Sequence, residues 1–287
     1  LVLNQEMNIG QFVAAEIIIL LVIQSVEKLI IGLESLYDVL TSIEKIGQVV
    51  DKEIESQDGE KPMFKNGVTL ELDEVSYRVE NRKKGIINNI SLTLTPTSRI
   101  LIQGESGAGK SSLLRLISGV IEPTEGNIYI NNLSLASLNL NHYRSQLGLS
   151  LSDETPFEGS IRDNLVFGNR QVDDLVIFNA LNTVGLNQFL KEQPNGLETV
   201  LYPEGKQMSY TIAKKIILAR AIIKQPRIMI LEDPLDQFNL EETTKIIRYL
   251  TDAKRPWALI VVSSKKSWKA QCEEIITLEK GEIKSIN

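Results

Sequence analysis

Gly104-Glu105-Ser106-Gly107-Ala108-Gly109-Lys110-Ser111 has the residue types and the spacing needed to hold a polyphosphate. In such a loop the glycines let backbone N–H groups close around the α- and β-phosphates, with Glu105, Ser106 and Ala108 supplying further amides. Lys110 reaches the β- and γ-phosphates, Ser111 offers a hydroxyl to Mg²⁺, and Ser112 continues a helix whose N-terminal end adds positive potential. A glycine-rich turn arising by chance is the competing reading. It loses because residues 99–103 are an apolar strand leading into the loop and residues 110–118 a helix leaving it. A second chemical signal lies downstream, where the apolar run Ile228-Met229-Ile230-Leu231 ends in Glu232-Asp233-Pro234. Alone, this is a strand ending at an exposed acidic turn. Beside a phosphate-binding loop, it is a strand that delivers one carboxylate to the Mg²⁺ shell and a second to orient a water.

The elements that must position these groups follow from periodicity. Strand-like segments at 68–72, 90–95, 99–103, 127–130, 227–231 and 259–262 are interleaved with helical ones at 110–118, across 160–190 and at 212–223. Residues 275–278 and 282–286 form a closing hairpin around Lys280-Gly281. Strands alternating with helices predict an α/β sandwich on a mostly parallel sheet. Ahead of it, residues 12–23 are apolar except Glu16, and Val26, Leu29, Ile30, Leu33, Leu36 and Leu40 continue at helical spacing, so one long helix is expected. Residues 10–32 match the about 20 residues of a membrane span, yet Glu16, Gln24, Glu27 and Lys28 would be costly against lipid. On these residues a span and a helix packed against partner helices stand level. Residues 37–55 turn acidic and amphipathic, and Ser56-Gln57-Asp58-Gly59-Glu60-Lys61-Pro62 interrupts them. The expected organisation is a helical part at 1–55, a linker at 56–67 and the α/β domain at 68–287.

With 287 residues, 43% of them hydrophobic, the chain can bury a full domain core. A net charge of −6 and the lack of any long Lys/Arg run argue against nucleic acid as a partner. Cys272 is the only cysteine, which excludes an internal disulfide and a cysteine metal cluster. His142 is the only histidine, so any histidine triad or zinc site would rest on it. Within Asn141-His142-Tyr143-Arg144 it reads as a surface residue. The pairs Lys83-Lys84, Lys214-Lys215 and Lys265-Lys266 read as solvated charge, Trp257 and Trp268 as packing residues, and Cys272 as a small core or surface filler. No basic stretch or small-residue cleavage site precedes the apolar run, so no signal peptide is expected.

Taken together, these segments resemble the ABC transporter family, in particular the exporter type whose membrane helices precede the nucleotide-binding domain on one chain, as in bacterial peptide and toxin secretion exporters. The likeness covers essentially the whole chain. Phe157-Glu-Gly-Ser-Ile-Arg-Asp-Asn164 is similar to the family segment after its Q-loop, Pro194-Asn-Gly-Leu-Glu-Thr199 to the stretch before the signature, and Leu218-Ala-Arg-Ala221 to the helix after it. Gly10-Gln-Phe-Val-Ala-Ala15 and the helix beyond resemble the sixth membrane helix, which selects the membrane span. The resemblance implies a P-loop NTPase sandwich of the ABC ATPase type with a helical subdomain, preceded by one long transmembrane-type helix. It implies ATP and Mg²⁺ as cofactors, membrane lipid around the helix, and a second ABC subunit docked head to tail, identical or different. It also implies a location in the cell (inner) membrane, with the nucleotide-binding domain on the cytoplasmic side.

Position by position, most of the family's working residues differ. The adenine-stacking tyrosine falls at Val79, the Q-loop glutamine at Ser152, the D-loop aspartate at Asn239 and the switch histidine at Ser264. The signature becomes Met208-Ser209-Tyr210-Thr211-Ile212, in which only Ser209 remains to reach a partner's ATP. Glu232 takes the metal-shell position and Asp233 the water-orienting one, reversing the usual order and displacing each carboxylate by one methylene. Losing a positioned base or its support costs about 100- to 10,000-fold each. The implied function is an ATP-binding exporter subunit with weak or partner-dependent hydrolysis. A fully active homodimer in which Asp233 still orients water, and a non-transporting ATP-binding remnant, are the alternatives. A small-molecule kinase is disfavoured by residues 218–221 and 157–164.

Overall fold

Residues 8–65, 67–79, 84–169 and 171–287 are described here from a computed structural model of the chain. Residues 1–7 of the expected helical part, Asn66 of the expected linker and Lys83 of one lysine pair lie outside them. The chain divides into two compact units, Leu1–Ser56 and Gln57–Asn287.

The first unit is α1, Ile9–Val50, a single helix of 42 residues. It starts at a capping box, with the Asn8 side chain accepting from the Gln11 N–H at 2.8 Å and the Gln11 side chain accepting from the Asn8 N–H at 3.0 Å. Ser25, Ser35, Thr41 and Ser42 each donate a hydroxyl to the carbonyl four residues back, so these polar groups are met within the helix itself. No residue of α1 is buried, and the helix is long and apolar enough to cross a membrane. At 1.5 Å per residue it extends about 63 Å, roughly twice the about 30 Å hydrocarbon core of a bilayer.

The second unit contains β1 (Leu70–Tyr77), β2 (Ile87–Leu94), β3 (Arg99–Gln103), α2 (Lys110–Ile117), β4 (Glu125–Ile130), β5 (Leu133–Ser134), α3 (Leu140–Ser145) and β6 (Leu147–Ser150). There follow β7 (Gly159–Ser160), α4 (Ile161–Val166), α5 (Asp174–Thr183), α6 (Asn187–Glu192), β8 (Val200–Leu201) and α7 (Tyr210–Ile223). The chain closes with β9 (Ile228–Glu232), α8 (Leu240–Thr251), β10 (Ala258–Val262), β11 (Glu274–Glu279) and β12 (Glu282–Ile286). The main sheet has the order β12-β11-β3-β10-β9-β6, parallel throughout except for the β11–β12 hairpin.

Period-2 alternation gives this sheet two cores. Ile100, Ile102, Ile228, Ile230, Ile260 and Val262 face one, packed with α2 and with a second, antiparallel sheet of order β2-β1-β4-β5. Leu101, Met229, Leu231, Leu259 and Val261 face the other, covered by α4, α5, α7 and α8. The mostly parallel sheet agrees with expectation, whereas the antiparallel sheet and α8 were not expected. The segment after Ser56 is docked rather than free: the Glu60 N–H donates to Ser137 O, its carbonyl accepts from the Asn139 N–H, both at 2.9 Å, and Phe64 is buried.

Two expectations need correction. His142 is half-buried, its Nε2 2.8 Å from Pro62 O and its ring stacked on Phe64 at 5.9 Å. Lys214 and Lys215 are buried, not solvated, at 4% and 7% exposure. Both lie on α7 where it packs under the sheet, and their stems continue an apolar face while each ammonium has a partner: Lys214 donates to three main-chain carbonyls, and Lys215 sits over the Phe238 ring. Lys215 donates to Glu242 at 2.7 Å. Trp257 and Trp268 are buried packing residues, as expected. Cys272 is half-buried, and burial pushes its thiol up to about 12, which makes it a packing group rather than a nucleophile.

Trp257 fills the core beside α8, its indole N–H donating to Leu250 O at 3.0 Å. Trp257→Ala empties that volume and orphans the carbonyl. Urea unfolding should show a loss of about 3–5 kcal/mol.

Candidate nucleotide site

The loop after β3 is built to expose its backbone. Gly104, Gly107 and Gly109 have φ of 152°, 82° and 99°. A Cβ at Gly104 would stand 2.2 Å from Leu278 O, and one at Gly109 would stand 2.7 Å from Ile86 O. Gly107 faces open space, so only its left-handed backbone calls for glycine. The β11–β12 hairpin walls the loop, with the Gly281 N–H donating to Ala108 O at 3.1 Å. Gly104, Glu105, Ser106, Gly107, Ala108 and Gly109 thus form one concave turn, and Lys110, Ser111 and Ser112 open α2 behind it. The Lys110 ammonium donates across the mouth of the turn to Gly104 O at 2.9 Å and Glu105 O at 2.7 Å.

Strand register brings the carboxylates to the same edge. Val262 of β10 pairs with Ile102 of β3 on one side and with Glu232 of β9 on the other. Ser111 donates its hydroxyl to Oε1 of Glu232. Ser152 donates both its hydroxyl, at 2.8 Å, and its N–H, at 3.2 Å, to Oε2. Three oxygen-bearing groups therefore meet at one point, a hard donor set that suits Mg²⁺ shared with phosphate. Among the described residues no group of three or more His, Cys, Asp or Glu could hold a metal by itself.

Asp233 follows with a left-handed φ of 40°, its N–H held by Val262 O at 2.9 Å. With Gln103, Gly104, Lys110, Val262, Ser263 and Ser264 it lines a cavity of about 240 Å³. Burial raises the Asp233 pKa, and the Glu232 and Asp236 carboxylates add to the rise, while Lys110 and a hydrogen bond from Ser263 oppose it. A larger cleft of about 510 Å³, lined by Glu154, Phe167, Arg220 and Lys224, lies away from the glycine loop.

The fold brings Gly104 to Ser112, Glu232 and Asp233 together, and it adds Ser152 and Ser264. Val79, two residues past β1 and 40% exposed, and Ser209, the exposed N-cap of α7, do not join the loop's hydrogen-bonded set among the described residues. Tyr210 beside Ser209 is 46% exposed and Asn239 caps α8, accepting from the Glu242 N–H at 2.8 Å. Sequence reasoning missed Ser263, which contacts Asp233, and Lys214, whose ammonium donates to Leu151 O, Ser152 O and Glu154 O at 3.2, 2.7 and 3.2 Å. The available signal for Lys214 was a charge pair set between apolar residues on both sides.

The profile described as "ABC transporter" matches residues 87–236, just over half of the chain and the whole span from β2 through Asp233. The chain belongs to the ABC transporter family. Among curated family members, it is 30% identical over 234 residues to the ABC multidrug transporter MDR2 of Trichophyton rubrum, covering 80% of this chain and 18% of that protein. It is 27% identical over 285 residues to the toxin RTX-I translocation ATP-binding protein of Actinobacillus pleuropneumoniae, covering 99% and 40%. It is 26% identical over 275 residues to the ATP-dependent lipid A-core flippase of Coxiella burnetii, covering 96% and 47%. The chain therefore spans less than half the length of these relatives. Its fold matches that of a bacterial Atm1-family ABC exporter with ATP bound, at a TM-score of 0.77 and 22% identity over 86% of this chain and 44% of that one. The expected ABC-type sandwich and the exporter resemblance both stand, and an ABC ATPase domain implies nucleotide binding.

Two measurements follow from this geometry. Gly107→Ala meets only backbone strain and should cost about 1–2 kcal/mol in urea unfolding, whereas Gly104→Ala also drives a methyl into Leu278 O and should cost clearly more. The raised folded pKa of Asp233 means that its ionised form opposes folding once pH rises through the unfolded value of about 3.9. Asp233→Asn should therefore stabilise the protein at pH 7, with the gap closing toward pH 3.

Proposed function

We propose that this chain is the ATP-binding portion of an ABC-type membrane exporter subunit, one that binds Mg·ATP and hydrolyses it slowly or only with a competent partner. The carrying observation is the meeting of Lys110, Ser111 and Glu232 at a glycine turn with no room for side chains at Gly104 and Gly109. Lys110 and the loop amides bind the phosphates, and Ser111 and Glu232 hold Mg²⁺. When bound, that ion neutralises charge on the β- and γ-phosphates. Asp233 is the remaining candidate to orient a water, from a carboxylate one methylene shorter than the family's and with Ser264 in place of an imidazole. Val79 contacts adenine without stacking.

Tyr210 and Thr211 support the impaired reading. In a head-to-tail dimer each site combines one subunit's loop with the other's signature, and side chains there fill space that glycine leaves for the γ-phosphate. Ser209 alone would reach the partner's nucleotide. In a homodimer both sites carry every one of these defects, whereas in a heterodimer with an intact partner each site carries only the share that this chain contributes to it, so a heterodimer is the more functional assembly. The proposed organisation is a membrane part at 1–55 with lipid around α1, a connection at 56–67 and the nucleotide-binding domain at 68–287 on the cytoplasmic side of the cell membrane. The length of α1 beyond one bilayer thickness provides the cytoplasmic extension.

Titration with ATP and Mg²⁺ should show binding that Lys110→Ala weakens at least about tenfold. Steady-state turnover of the isolated dimer should lie about 100-fold or more below ordinary transporter ATPase rates. Ordinary turnover abolished by Lys110→Ala would establish the active homodimer instead. Absence of nucleotide binding would remove the proposal altogether.

A further inference from the structure

Lys214 is a buried cation with no carboxylate partner within salt-bridge distance among the described residues. Its ammonium has three donors, and all three go to main-chain carbonyls of one short segment: Leu151, Ser152 and Glu154, at 3.2, 2.7 and 3.2 Å. Burying a charge is costly unless its hydrogen bonds are complete, so this segment is shaped around the lysine. The same segment follows β6 and is held from two other directions. Ser152 gives its hydroxyl and its N–H to Oε2 of Glu232, and Asp153 pairs with Arg115 of α2 at 2.8 Å. The helix that follows Ser209 is thereby tied, through Lys214 and then Ser152, to the carboxylate that faces Ser111.

We propose that Lys214 is a positioning residue: by holding the carbonyls of residues 151–154 it presses Ser152 onto Glu232, so that the metal-side carboxylate is oriented before nucleotide arrives and α7 stays coupled to it whether or not nucleotide is bound. The second half rests on the proposed Mg·ATP site, while the first concerns the empty protein alone. A serine whose hydroxyl and N–H are both held on Glu232 cannot extend and retract as a longer amide could. A main-chain clamp supplies the link in its stead.

Hydrogen exchange on the full chain in detergent, without nucleotide, tests the first half. The Ser152 amide should be protected in the parent protein, and Lys214→Gln should raise exchange across residues 151–154 by at least about tenfold, with β9 and β10 unchanged. Nucleotide titrations with and without Mg²⁺ test the second half. The Mg²⁺-dependent gain in ATP affinity should fall in Lys214→Gln and in Ser152→Ala, and the double variant should lose no more than the larger single loss. A purely packing role for Lys214 would lower stability without moving that ratio. A fast-exchanging Ser152 amide in the parent, or a folded Lys214→Gln with unaltered exchange at 151–154, overturns the proposal. Should Lys214→Gln not fold, Ser152→Ala decides: an unchanged Mg²⁺ gain overturns it. If ATP does not bind at all, the functional reading fails, and exchange still decides the clamp.

Discussion

A carboxylate buried at the end of the central sheet governs this domain. Glu232 is only 8% exposed, and a buried carboxyl group requires hydrogen-bond partners around it. The donors come from separate pieces of chain: the Ser111 hydroxyl from the helix behind the glycine loop, and the Ser152 hydroxyl and N–H from the segment just after β6. Satisfying one charge therefore fixes three elements relative to one another. The same requirement makes the spot attractive to a divalent cation, because the hydroxyls that calm the carboxylate are themselves oxygen ligands.

Sheet order supplies the geometry that this requirement needs. With β10 between β3 and β9, and all three parallel, the loop glycines, Ser263 and Asp233 leave the sheet at one edge. Ligands of open α/β sheets gather at the carboxyl ends of the strands for this reason. Alternation within those strands divides their side chains between two cores, so their positions are set from both faces. The hairpin of β11 and β12 closes against the loop and sets the carbonyl of Leu278 beside Gly104, while the carbonyl of Ile86, just before β2, stands beside Gly109, so near that no side chain fits at either glycine.

What could be read in the sequence divides by how local its cause is. Arg99–Gln103 was legible to the residue, because a strand buried on both faces is a continuous apolar run bounded by charge and glycine. The P-loop was legible because its chemistry resides in consecutive residues. The antiparallel sheet was harder: Glu74 and Asn89 adopt left-handed φ of 50° and 49° and shift the register of β1 and β2, interrupting alternation. Helix α8 carried readable signs, with Asn239 as cap, Glu241 and Glu242 in its first turn and a buried stripe of Thr243, Ile246, Ile247 and Leu250. Lys214, Lys215 and His142 failed for a different reason. A charge looks solvated until its partners are known, and theirs lie some 27 to 80 residues away.

The departures from the family pattern become intelligible when each position is asked what else it holds. Asn239, where the family has aspartate, still caps α8, since an amide oxygen accepts the Glu242 N–H as well as a carboxylate does. Ser209 still caps α7. Ser152 is too short to replace glutamine, yet it meets the neighbouring carboxylate and keeps the segment in place. Tyr210, 46% exposed, and Thr211, half-buried, occupy the first turn of α7, where their side chains would meet a subunit docked against that end of the helix. Ser264, exposed at the cavity rim, likewise carries no packing. Residues that support the architecture retain a group able to do so, while the positions that the family resemblance links only to cleavage of a bound phosphate carry no such structural duty, in keeping with the function proposed above.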